Sequence, residues 1–227
     1  MIKAVFFDLG WTLVKPTSGD WLFTMEFQKH FKDLKVSHDV FQSAYKPLAE
    51  NPYMKDEDEQ IQRFTTFYKD ILDDMQTEYD PDLPCHIAYD LTKNDENMLL
   101  IETAEETLNI LKQNNIYLGI ISDTWPYINH QLEYLNILKY FDNVTYSYSL
   151  GTNKPSPMMY QDALQKAGFL PRECLFIDDI GRNLEAAERF HINALQSVYN
   201  PDCVIDERFP PVKKPIEILE YLRKEAV

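Results

Sequence analysis

The chain has 227 residues, 44% of them hydrophobic, enough for one full core or for a core with a smaller inserted unit. Its 37 acidic against 22 basic residues give a net charge of −15, a surface that repels phosphate backbones and argues against a nucleic-acid partner. No apolar run approaches the roughly 20 residues a membrane helix needs, and Met1-Ile2-Lys3 leads into a strand pattern and not a signal peptide, so no membrane and a cytoplasmic location are expected.

Ile2 to Phe7 is an apolar run broken only by Lys3, the pattern of a strand buried on both faces. Residues Lys15 to about Asn97 are rich in Phe, Tyr, Asp, Glu and Lys, with helical spacing at Trp21 to Phe31, Val40 to Leu48 and Glu59 to Met75 and no convincing strand. Their aromatic content argues against disorder, and acidic runs such as Lys55 to Glu59 read as solvated helix faces. Beyond this segment, helix and strand alternate. Helical spacing marks Ala104 to Gln113, Tyr127 to Leu135, Pro157 to Ala167 and Asn183 to Phe190. Strand runs fall at Ile116 to Ile121, more weakly at Val144 to Tyr148, then at Cys174 to Ile177 and Ile192 to Leu195. Pro210 to Pro215 reads as a loop, and Ile216 to Lys224 as a short amphipathic helix. The alternation predicts an α/β fold, a doubly wound parallel sheet formed by residues 1–14 and 98–227, with residues 15–97 inserted as a small helical domain.

Three cysteines, Cys85, Cys174 and Cys203, are too few and too widely spaced for a disulfide framework or a zinc knuckle, and are expected to be reduced. The five histidines lack metal-ligand spacing, and the six glycines form neither a Walker nor a dinucleotide fingerprint.

In a doubly wound sheet the carboxyl ends of the strands converge on one crevice. Here those ends carry Asp8 with Thr12, then Ser122, then Lys154, then the pair Asp178-Asp179. A carboxylate such as Asp8 can attack phosphorus and split one hard hydrolysis into two easier steps. Magnesium, a hard ion wanting oxygen ligands, would bring the two anions together, with Asp178 and Asp179 completing its carboxylate set. Lys154 offers a fixed positive charge and Ser122 a hydroxyl donor, both suited to phosphoryl oxygens.

These stretches resemble the haloacid dehalogenase-like hydrolase superfamily over nearly the whole chain. Phe6-Phe7-Asp8-Leu9-Gly10-Trp11-Thr12-Leu13 is similar to its first motif, Ile120-Ile121-Ser122-Asp123 to its second, Lys154-Pro155-Ser156-Pro157 to its third and Phe176-Ile177-Asp178-Asp179 to its fourth. The insert is similar to the helical cap of the subfamily of phosphoglycolate phosphatases and beta-phosphoglucomutases. The resemblance implies Asp8 as nucleophile, Ser122 and Lys154 as phosphate contacts, and Mg2+ held by Asp8, the Gly10 carbonyl and Asp179, with Asp178 acting directly or through water. It implies a phosphohydrolase acting on a small phosphorylated metabolite, as a monomer or homodimer.

The sequence departs from that pattern at Gly10, where phosphatases of the superfamily usually carry an aspartate serving as acid and base. Such help is typically worth about 10²–10⁴ in rate. Three replacements are weighed: a leaving group acidic enough to depart unprotonated, a carboxylate brought in by the cap, or Asp123, which otherwise reads as a surface or helix-capping residue. A catalytically weak relative that binds a phosphorylated ligand or a protein partner is the alternative. A phosphonatase or a dehalogenase is a more distant one, since the acidic pair favours a metal and Lys46 and Lys55 sit in no motif. A phospho-acceptor receiver domain fails on the order of its motifs and on the insert. Trp11, Trp125 and Trp21 are expected near the crevice, either sealing a seam between core and cap or contacting substrate.

Overall fold

The computed structural model describes residues 1–224. Its centre is a six-stranded, fully parallel sheet, and its inner strands β1, β4 and β6 reflect apolar runs that have to be buried on both faces. In chain order the first half contains β1 (Ala4–Phe7), β2 (Val14–Pro16), α1 (Met25–His30), α2 (His38–Glu50), α3 (Glu57–Asp74), α4 (Leu83–Lys93), β3 (Met98–Leu100) and α5 (Ala104–Gln113). The second half continues with β4 (Tyr117–Ser122), α6 (Ile128–Tyr134), β5 (Asn143–Tyr146), α7 (Ser147–Leu150), α8 (Pro157–Ala167), β6 (Cys174–Asp178), α9 (Gly181–Arg189), β7 (Asn193–Ser197), β8 (Pro211–Val212) and α10 (Ile218–Lys224). The sheet order is β5-β4-β1-β6-β7-β8, which places β1 between β4 and β6.

Successive side chains of a strand point to opposite faces, and β1 divides accordingly. Val5 and Phe7 enter an apolar cluster with Leu108, Leu111, Leu132 and Ile218, so α5, α6 and α10 cover one face. Ala4 and Phe6 enter a second cluster with Met159, Tyr160, Leu184 and Ala187, so α8 and α9 cover the other. The fold is thus the expected doubly wound α/β architecture.

Helices α1 to α4 pack around a separate apolar cluster that includes Phe27, Leu48, Phe64, Phe67, Tyr68, Ile71 and Ile87. The acidic run ahead of α3 has a local cause. Asp56 caps the helix by accepting from the Glu59 amide at 3.0 Å, and Glu57, Asp58 and Glu59 fill a first turn where the helix dipole favours negative charge.

Four features differ from the sequence reading, one being that Pro211–Val212, expected within a loop, pair parallel with β7 as the edge strand β8. Helix α4 was not expected; Pro84 stands in its first turn, where a missing amide costs nothing, while Ile87, Ala88 and Leu91 form its buried stripe. Residues Val14 to Pro16, partly inside the segment expected to lack strands, pair antiparallel with Met98 to Leu100. The weak strand expected to run to Tyr148 stops at Tyr146, and Ser147 to Leu150 turn into a short helix.

Gly119 in β4 lies opposite Phe6 in the register of β1 and β4, and a Cβ there would come within 2.6 Å of the Phe6 ring. Phe6 is fully buried, so the ring has little room to yield. We expect Gly119→Ala to cost about 1–3 kcal/mol by overpacking, measured as a lower midpoint in urea at unchanged m-value.

Candidate active site

The parallel strands end together, and their last residues lead into the loops that build the site. Asp8 follows β1, and its amide donates to Ile177 of the neighbouring β6 at 2.9 Å. Ser122 ends β4 and Asp178 ends β6. Lys154, from the loop before α8, reaches between the two carboxylates: its Nζ donates to Asp8 Oδ1 and to Asp178 Oδ2, both at 2.6 Å. All three groups are withdrawn from water, with exposures of 7% for Asp8, 5% for Lys154 and 0% for Asp178. Burial opposes the ammonium charge, but Asp178 and Asp8 outweigh it and hold Lys154 protonated.

The two acidic neighbours at the end of β6 have different situations. Asp178 is saturated: beyond Lys154 it accepts from the Ile180 amide at 2.8 Å and from Asn183 Nδ2 at 3.0 and 3.1 Å. Asp179 is half-buried, and its carboxylate has no hydrogen-bonding side chain among the described residues. Burial, joined by the charges of Asp8 and Asp178, pushes Asp179 up to about 8. Burial also pushes Asp8 up to about 6, with Lys154 pulling the other way.

Among the described residues, no three acidic, histidine or cysteine side chains come together as a ready-made metal cluster. The expected set of Asp8, Asp178 and Asp179 is not gathered because Lys154 occupies the space between the first two. The donor set nevertheless suits a hard cation, since three neighbouring carboxylates face one ammonium, and burial, with the charges of Asp8 and Asp178 added to it, disfavours the ionised form of Asp179.

Ser122 is buried to 2%, and its hydroxyl has no hydrogen-bond partner among the described residues. Asp123, the next residue, remains accessible at the crevice mouth, where its Oδ1 accepts from the Lys154 amide at 2.9 Å. It is therefore neither a free surface carboxylate nor a helix cap; it pins the Lys154 loop to the end of β4. The protein crowded around it raises its carboxyl, while Lys154 and Arg182 lower it. Thr12, expected among the substrate contacts, has an enclosed hydroxyl without a partner and does not open onto the crevice.

Gly10 and Trp11 form the turn after Asp8. Trp11 adopts φ 55, a left-handed conformation that disfavours a bulky side chain. It is held there by its amide, which donates to the Val14 carbonyl at 2.7 Å, and by its carbonyl, which accepts from Ser197 Oγ at 2.7 Å. Its ring meets Trp21 edge-on, with centroids 6.2 Å apart. Trp125, on the loop after β4, packs its ring on Phe64 of α3, 4.9 Å away, at the seam between the sheet and the helical segment. Gln60 of α3 accepts from the Tyr127 amide at 3.2 Å, and Met54 donates to the Tyr148 carbonyl at 3.2 Å, so the helical segment is docked over the strand ends.

Two residues near the crevice were not singled out from the sequence. Tyr45 of α2 has its phenol raised by burial and by the charge of Asp123. Arg182, in the first turn of α9, is exposed, and its charge reaches Asp123. A tyrosine on an apolar helix stripe and an arginine early in a helix carry no motif of their own.

The parallel sheet, its polar strand ends and the docked helical segment define a Rossmann-like α/β hydrolase architecture. The chain matches the haloacid dehalogenase-like hydrolase family over residues 2–191 and belongs to that family. It is 23% identical over 222 residues to the pyrophosphatase PpaX of Oceanobacillus iheyensis, covering 91% of this chain and 93% of that one. It is 27% identical over 95 residues to the phosphoglycolate phosphatase of Escherichia coli K12, covering 41% of this chain and 38% of that one. The solved 2-haloacid dehalogenase of Pseudomonas syringae pv. Tomato DC3000 shares the fold, with a TM-score of 0.68 at 18% identity, covering 99% of this chain and 100% of that one. The chain is a hydrolase with phosphatases among its relatives.

Removing the ammonium leaves two buried carboxylates facing each other. Lys154→Met is expected to cost about 3–5 kcal/mol at pH 8 and less at pH 5, where a proton can replace the lost charge; urea titrations at the two pH values measure the difference. The folded-state values of Asp8 and Asp179, about 6 and about 8, lie above the unfolded value of roughly 4. The stability they contribute is present below roughly pH 4 and is lost as pH rises through those two values. Thermal melts in EDTA should accordingly show Tm falling between about pH 4 and pH 8.

Proposed function

We propose that this chain is a magnesium-dependent phosphohydrolase acting on a small phosphorylated metabolite through an aspartyl phosphate at Asp8. The observation that carries this reading is the placement of Lys154 Nζ at 2.6 Å from both Asp8 and Asp178, which opposes the effect of burial on the Asp8 carboxyl and fixes it at the strand ends. Residues 15–97 act in this reading as the cap that closes over the bound substrate.

Asp8 Oδ attacks phosphorus, the bond from phosphorus to the leaving oxygen breaks, and the leaving group takes the electron pair. An ammonium has three N–H donors, and two are spent on Asp8 and Asp178, so the third can meet a phosphoryl oxygen. The free Ser122 hydroxyl donates to another. Water then attacks the aspartyl phosphate, which releases phosphate and restores the Asp8 carboxylate, and the proton of the water leaves with the phosphate or to solvent. Asp8, Asp179 and the Gly10 carbonyl are the groups that would hold Mg2+, which neutralises charge developing on the phosphoryl oxygens when bound.

A second reading, a weak catalyst retained for binding a phosphorylated ligand or a protein partner, is favoured by Gly10, which offers nothing to titrate. Phosphate release from p-nitrophenyl phosphate and acetyl phosphate separates the two. The first reading expects turnover that needs Mg2+, stops with EDTA and drops at least about 10³-fold in Asp8→Asn. Turnover no greater than that of Asp8→Asn, with Mg2+ still raising Tm, would leave the binding reading in its place.

A further inference from the structure

The glycine at position 10 is not required by its own backbone, which lies outside the left-handed region. What bears on it is space, because a side chain there would crowd Trp21, which would have to shift by a few tenths of an ångström. A Cβ built there would stand 3.2 Å from Cζ2, 3.6 Å from Cε2 and 3.8 Å from Nε1 of Trp21. The indole therefore fills the volume into which a side chain two residues after the nucleophile would project.

Trp21 is held in place. Its ring packs edge-on to Trp11 and against the apolar cluster of the sheet, not the cluster of α1 to α4. The backbone beyond it is fixed by Asp20, whose Oδ1 accepts from the amides of Leu22 at 2.8 Å and Phe23 at 3.0 Å, and by Tyr68, whose hydroxyl donates to the Leu22 carbonyl. The Trp21 Nε1–H has no hydrogen-bond partner among the described residues. An indole N–H can donate a hydrogen bond to a negatively charged oxygen, but it has no proton to give up at neutral pH.

We propose that Trp21 is the specificity-determining residue of this site, restricting turnover to phosphates whose leaving group departs as a stable anion, as acyl and aryl phosphates do. This rests on the hydrolase reading above. When Asp8 takes the phosphoryl group from such a substrate, the bond to the leaving oxygen breaks with both electrons on that oxygen, and a carboxylate or phenolate leaves without a proton. An alkyl phosphate would have to expel an alkoxide, and the group that could protonate it has no room at position 10.

The test compares p-nitrophenyl phosphate and acetyl phosphate with glycerol 1-phosphate, in the wild type, Gly10→Asp, Trp21→Ala, Trp21→Phe and the double variant Gly10→Asp/Trp21→Ala. Tm is recorded for each. The wild type should favour the two activated substrates by at least about 10²-fold in kcat. Gly10→Asp alone should lower Tm by about 3 °C or more without gaining on glycerol 1-phosphate. In the Trp21→Ala background the same change should cost little Tm and raise kcat for glycerol 1-phosphate about 10-fold or more. Trp21→Phe, which keeps an aromatic ring, loses the N–H and leaves Gly10 in place, should keep the discrimination, and it serves as the milder variant should Trp21→Ala unfold.

The proposal is overturned if the wild type turns over glycerol 1-phosphate as fast as the activated substrates, or if Gly10→Asp alone gains as much as the double variant with no loss of Tm. Absence of phosphate release from every substrate in the wild type would remove the hydrolase reading and the specificity claim with it. The Tm values alone would then decide whether Trp21 excludes a side chain at position 10.

Discussion

The buried ammonium of Lys154 is the constraint around which the site is assembled. A charge taken out of water is costly unless it is paired and hydrogen-bonded, and here one cation serves two carboxylates at 2.6 Å each. Each partner is tied to a different part of the fold. Asp8 extends β1, Asp178 extends β6 and is bound to the start of α9 through Asn183, and the Lys154 loop is fastened to the end of β4 by Asp123. Three strands and one helix thus have their ends set against a single group, at the cost of excess negative charge. Asp179 carries that excess, which adds to burial in disfavouring its ionised form and would give such a site affinity for a cation.

Much of this was legible in the sequence, for identifiable reasons. The strands stood out because burial on both faces demands unbroken apolar runs, and α5 and α8 matched their predicted spans residue for residue. Punctuation helped: Pro157 opens α8, and Gly168 in a left-handed conformation closes it. The ribbon of β2 and β3 was not legible, because strands of three residues are too short to show a period. Helix α4 was hidden by a proline that reads as a breaker unless its place in the first turn is known.

The site divides in the same way. Which residues gather at the strand ends followed from the order of the strands, but the separate fates of Asp178 and Asp179 did not. Adjacent residues at a strand end face opposite ways, and only the position of Lys154 and Asn183 decides which carboxylate is consumed by hydrogen bonds. The contact between Gly10 and Trp21 was also beyond reach, because it depends on how the chain turns back after β2 and not on any local pattern.

That turn also bears on the cap closure proposed above. The chain leaves the core at β2 and returns at β3, and these two crossings lie side by side as an antiparallel pair, Val14 against Leu100 and Pro16 against Met98. Two adjacent crossings form a single pivot, and in a rotation about a pivot displacement grows with the lever arm. In that closure, Tyr45 of α2, Gln60 of α3 and Met54 on the loop between them would move together. Trp21 lies a short way past Pro16 and is bedded on the core. In the same proposed closure, its ring would stay with the sheet and keep Gly10 covered, while the next residue, Leu22, is tied to Tyr68 of α3.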